Sequence, residues 1–188
     1  DLLIVARDIL GKLRPAETHY IRFEKLREIV YGMTLDILKK EARDRGIVLT
    51  AKRLEKLAQI LVKSTVGFGI IEDISADDYI EDIYINPPVG EVPLLIKHAK
   101  YGEMETNIIP DTEEVRGWIS KIRLLSGRPL DEAHPVLDYD LELPDARVRV
   151  AVIQQPFSPK GYGFAIRRHR KRPWTLPLFI RNKFVSSL

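Results

Sequence analysis

Arg147-Val-Arg-Val-Ala-Val-Ile153, the turn Ser158-Pro-Lys-Gly161 and the run Tyr162-Gly-Phe-Ala-Ile-Arg-Arg-His169 decide the fold class of this 188-residue chain. In the first run Val148, Val150 and Val152 alternate with Arg147, Arg149, Ala151 and Ile153, the period-two pattern of a strand with one face in a core. Pro159 and Gly161 stand at the second and fourth positions of a tight turn, where each is favoured. The return run sets Tyr162, Phe164, Ile166 and Arg168 on one side and Gly163, Ala165, Arg167 and His169 on the other. Two antiparallel strands are expected, delivering arginines near one end of a sheet.

Working outward, the residues from about Gly67 read as short strands punctuated by Gly and Pro. Tyr79–Asn86 is a strand stopped by Pro87-Pro88. Val92–His98 turns at Tyr101-Gly102 into Glu103–Ile109, a second hairpin. Asp111-Thr-Glu-Glu114 has capping-box spacing and opens a helix with Val115, Trp118, Ile119, Ile122 and Leu125 on its apolar face, closed by Gly127. Val136–Leu143 is a further strand. Before Gly67 the spacing is helical: Leu26, Ile29, Val30, Met33 and Ile37 line one face, Gly46 ends that helix, and Thr50 caps a second one with Leu54, Leu57, Ala58 and Leu61 inward. The expectation is an α+β chain: a helical module at 1–66, then from 67 a sheet with a helix packed across it.

Composition narrows the setting. With 45% hydrophobic residues the chain can bury a core, and with no cysteine it has neither disulfides nor thiolate metal sites, which fits a reducing cytoplasmic location. No apolar run approaches the roughly 20 residues that span a bilayer. The first ten residues lack the basic start and cleavage pattern of a signal peptide. The chain begins at Asp1 without an initiator Met, so it is expected to be a segment of a longer protein.

Charge is distributed unevenly. All 27 acidic residues precede Ala146, with 20 of the 30 basic ones, so residues 1–145 carry a formal −7 and the remaining 43 carry +10. Such an end attracts phosphate from a nucleotide, a nucleic acid or a lipid head group. Three readings stay open on the residues alone. The arginines are solvated or paired with acids such as Glu72, Asp73, Asp77, Asp78, Glu81 and Asp82; they hold nucleic acid, with Tyr162, Phe164 and Trp174 interleaved; or they contact the phosphates of a nucleotide. No phosphate loop is present, and Gly67-Phe-Gly69 is too short for a dinucleotide fingerprint. His19, His98, His134 and His169 have no metal-ligand spacing. Asp131, Glu132, His134, Asp138 and Asp140 form a polar patch without a nucleophile, and no catalytic set can be assembled.

From Gly67 to Thr175 the chain resembles the N-terminal domain of the type II/type IV secretion ATPases, above all their archaeal branch. The resemblance rests on Ile80-Glu-Asp-Ile83 with Tyr84-Ile-Asn-Pro87, Ser126-Gly-Arg-Pro-Leu-Asp131, Pro135 with Leu137-Asp138, Arg147-Val148, Ser158-Pro-Lys-Gly161 leading to Phe164-Ala-Ile-Arg-Arg168, and Pro173-Trp174-Thr175, in this order. It implies a PAS-like domain at 67–172 lying over nucleotide held by a C-terminal motor domain that would begin near Leu178, with 173–188 as the linker and first turn of that motor domain. Arg147, Arg149, Arg167 and Arg168 would then contact phosphates, and Arg170, Lys171, Arg172 and Pro173 would form the hinge. The family turn usually has Gly before the first arginine, where this chain has Pro144-Asp-Ala146. The resemblance further implies ATP and Mg as cofactors of the full-length protein, with none held by this segment alone. It implies a homohexamer at the cytoplasmic face of the membrane, an inner-membrane platform protein as partner, no nucleic acid, and no hydrolysis by the segment itself.

Overall fold

The computed structural model describes residues 23–170 and 175–184. The chain divides into two compact units, one ending at Ile74 and one beginning at Ser75.

The first unit is helical. Helix α1, Phe23–Asp44, and helix α2, Ala51–Thr65, pack against each other around Leu38, Leu54, Ala58 and Leu61. Thr50 caps α2, its hydroxyl accepting from Arg53 N at 3.4 Å. The buried stripe of α1 is Thr34, Leu38 and Ala42, with Val30 and Leu35 partly covered, whereas Ile29 and Met33 are exposed. The expected face is therefore rotated. Thr34 enters the interior because its hydroxyl donates to Val30 O at 2.6 Å, which removes the cost of burying it.

After α2 the chain forms a short helix, α3, Ile70–Ser75, where strands were expected. Glu72 on α3 is buried and accepts Arg27 Nη1 at 2.6 Å, Arg27 Nη2 at 2.9 Å and Phe68 N at 2.8 Å. This forked pair ties α1 to α3, both in the first unit. Gly67 is required beside it: a Cβ there would lie within 3 Å of Lys63 O and the Arg27 guanidinium.

The second unit holds a six-stranded antiparallel sheet in the order β3-β2-β1-β6-β5-β4. The strands are β1 Ile80–Ile85, β2 Leu95–His98, β3 Gly102–Glu105, β4 Val136–Glu142, β5 Arg147–Ile153 and β6 Gly163–Arg168. Helix α4, Thr112–Ser126, falls between β3 and β4, and α5, Leu176–Arg181, follows the sheet. The second hairpin is shorter than expected. Leu94 still exchanges backbone bonds with Thr106 and Ile108, but Pro93 has no N–H to carry the ladder further. Asp111 stands at the N-cap of α4 without a side-chain bond, so the capping-box geometry is absent, while Gly127 ends the helix in the left-handed conformation at φ 63°.

One face of the sheet is buried: Leu137 and Leu141 on β4, Val148, Val150 and Val152 on β5, Phe164 and Ile166 on β6, Ile83 and Ile85 on β1. The stripe Val115, Trp118, Ile119 and Ile122 of α4 is buried too, and these two sets make the core of the unit. The alternation expected for β5 is observed residue by residue. The opposite face of the sheet carries the charge.

Candidate functional site

Register aligns the charged face into a row. Arg149 of β5 lies directly opposite Asp140 of β4 and Arg167 of β6; Arg167 lies opposite Asp82 of β1, and Asp82 opposite Lys97 of β2. Glu103 of β3 completes the row across from Lys97. Two guanidinium groups on adjacent strands repel each other at this separation. Carboxylates on both flanks offset that repulsion.

Each arginine meets a different carboxylate. Arg167 Nε donates to Asp82 Oδ1 at 2.8 Å; the Arg167 side chain is 74% exposed and that of Asp82 only 7%. Arg149 reaches diagonally to Asp138: its Nε lies 2.9 and 3.1 Å from the two carboxylate oxygens, and its Nη2 also bonds Oδ2. Arg147 faces Glu142 at 4.0 Å, both ends exposed. Hydrogen bonding from Arg149 lowers the Asp138 pKa, and the bonds to Asp138 and Asp82 raise those of Arg149 and Arg167.

Arg168 points the other way, as alternation requires. It is buried, with Nε donating to Ser75 O at 2.8 Å and Nη2 bonded to Asp78. Of the four arginines singled out, the sheet thus brings Arg147, Arg149 and Arg167 onto one face and commits Arg168 to the backbone at the start of the unit. Among the hinge residues, Arg170 bonds Glu81 at 3.3 Å; Lys171, Arg172 and Pro173 lie outside the described residues.

A concavity of about 500 Å³ opens at the end of β1, β2 and β6. Its walls carry the carboxylates Asp78, Glu81 and Asp82 and the cations Lys97, Arg167, Arg168 and Arg170. Glu81 occupies the irregular position between Ile80 and Asp82 in the β1–β2 register and lies 3.4 Å from Lys97. The alternation of β5 and β6 shows which arginines share a face. What sequence reasoning did not provide is the individual carboxylate that each one meets, because β1 pairs with β6 across more than 80 residues.

The histidines and the turn at Asp131 are accounted for locally. His98 is buried between Tyr79 and Tyr101, its ring 5.6 and 4.7 Å from theirs, and its Nδ1 accepts from Lys100 N. His134 and Asp131 close a turn, in which the His134 N–H lowers the Asp131 pKa. His169 Nε2 lies 3.2 Å from Asp140. His19 lies outside the described residues. Among the described residues no cluster of His, Asp and Glu has the arrangement of a metal site, and no helix is long and apolar enough to cross a membrane.

No family model matches the chain. It is 30% identical over 131 residues to one uncharacterized protein of Methanocaldococcus jannaschii and 32% identical over 123 residues to another; these matches cover 69% and 65% of this chain. A third uncharacterized protein of that organism is 28% identical over 141 residues. The matched stretch spans 23%, 16% and 54% of those relatives' own lengths, so each extends well beyond it. Among solved structures, the VirB11 ATPase of the Brucella suis type IV secretion system, crystallised in complex with sulphate, aligns over 63% of this chain and 35% of its own. The TM-score is 0.46 and the identity 16%. A likeness of that extent fixes no chemistry for this chain.

Proposed function

We propose that this chain is the N-terminal part of a secretion-type ATPase, and that Arg147, Arg149 and Arg167 meet the phosphates of a nucleotide held by a motor domain beyond it. The observation that carries the reading is the placement of three exposed guanidinium groups on adjacent positions of two paired strands. Their order along the chain with Ile80–Ile83, Ser126–Asp131 and Ser158–Gly161 supports the same family. Arginines delivered to a phosphoryl group by domain closure neutralise the charge on its oxygens, an effect on the order of 10³-fold or more in rate. Arg168 serves the fold in this reading, and Arg170 starts the hinge. Homohexamer formation, ATP with Mg, and docking to a membrane platform belong to the same proposal.

The pairing pattern speaks against a nucleic-acid surface. Nucleic-acid binding draws on a surplus of cations that displace counterions from phosphate. Here the row from Asp140 to Glu103 holds three cations and three carboxylates. Anisotropy of a labelled single-stranded oligonucleotide should stay flat at low salt. In the full-length protein, Arg147→Ala combined with Arg167→Ala should keep the circular dichroism spectrum and lose most ATP turnover. Normal turnover in that double variant would remove the arginines from the nucleotide site.

A further inference from the structure

Arg149 and Arg167 are cross-strand partners on the same face, yet their guanidinium groups are committed differently. Arg167 is held through Nε alone, and among the described residues its two terminal nitrogens have no hydrogen-bond partner. Its anchor cannot readily leave. Asp82 is buried, and a buried carboxylate deprived of its cation is costly. Arg149 instead spends Nε and Nη2 on both oxygens of Asp138, whose side chain is 39% exposed. That carboxylate can return to water at little cost, because exposed pairs are weak.

We propose that Asp82 is a positioning residue that presents Arg167 to phosphate, while Asp138 is a displaceable cap that withholds Arg149 until a polyphosphate reaches it. The proposal rests on the phosphate-contact reading above and adds to it the roles of two carboxylates and a ligand preference. A lone phosphate engages Arg167 and leaves Arg149 capped. A linear polyphosphate, held first by Arg167, carries enough charge across the strand spacing to displace Asp138. Once both guanidinium groups are engaged, each can offer paired N–H donors to phosphate oxygens.

The test removes one negative charge at a time from the same face, at Asp138 or at Asp82. Tripolyphosphate and inorganic phosphate are titrated calorimetrically into the 188-residue chain. Asp138→Asn should raise tripolyphosphate affinity about 5- to 10-fold, the scale of one net hydrogen bond. Asp82→Leu, with the same branching of side-chain heavy atoms and no acceptor, should lower it about tenfold by the same reckoning. Asp82→Asn keeps an acceptor for Arg167 Nε and should stay within about twofold of the parent. In parallel, the Arg167 Nε–H proton should exchange slowly with solvent in the parent and in Asp82→Asn, and fast in Asp82→Leu.

A general field effect predicts the opposite sign at Asp82, because losing either negative charge would favour an anion. If Asp82→Leu binds tripolyphosphate more tightly than the parent, or Asp138→Asn binds it less tightly, the division of roles is wrong. If Asp82→Leu does not fold, rapid exchange of the Arg167 Nε–H in the parent is enough to overturn the positioning role. The underlying reading has its own control: tripolyphosphate binding unaltered by Arg167→Met, or absent from the parent and from Asp138→Asn alike, removes the phosphate site itself.

Discussion

The helical unit and the sheet unit both contain an arginine paired with a buried carboxylate, and the two pairs differ at the arginine end. Arg27 meets Glu72 fork to fork, with side chains 16% and 3% exposed. Arg167 meets Asp82 through one nitrogen, with side chains 74% and 7% exposed. In the first pair the cation is consumed by the fold. In the second, the carboxylate is consumed and the cation is displayed. Burial of each end, rather than the presence of an ion pair, separates an arginine that builds the structure from one that can meet a ligand.

Unfolding experiments test this difference between the two pairs. Arg27→Met leaves Glu72 buried without its cation and should cost about 3–5 kcal/mol, read from urea unfolding followed by circular dichroism. Arg167→Met leaves Asp82 with Lys97 still across the β1–β2 pair and opens the exposed arginine site to water, so it should cost less, about 1–2 kcal/mol. Equal losses in the two variants would contradict the distinction. Arg149→Ala, whose partner is exposed, should shift the unfolding midpoint least of the three. It should also let the Asp138 carboxyl rise from its lowered pKa toward the ordinary aspartate range, followed by carbon NMR. The sign follows from linkage. A depressed carboxylate contributes above its unfolded pKa, and that contribution disappears as pH falls through the folded one.

Much of the sheet could be read from local pattern. The valines of β5 and the turn Ser158–Gly161 define a hairpin with one buried face, and alternation alone turns Arg168 away from Arg167. The buried face of α1 was less legible, because Thr34 counts as polar until its hydroxyl is seen bonded to Val30 O. Helix α3, six residues long, is too short to show a helical period. Strand order is non-local, so Asp82 could be named as an acid available to the arginines but not assigned to Arg167. Register assigns it.

In the proposed reading, phosphate is met by the displayed guanidinium groups and not by the buried ones. Arginine side-chain NMR of the 188-residue chain, titrated with tripolyphosphate, tests it most directly. The Nε–H signal of Arg167 should shift first and that of Arg149 at higher concentration, while Arg27 and Arg168 stay in place. An unmoved Arg167 at saturation, or shifts confined to Arg27 and Arg168, would contradict the account.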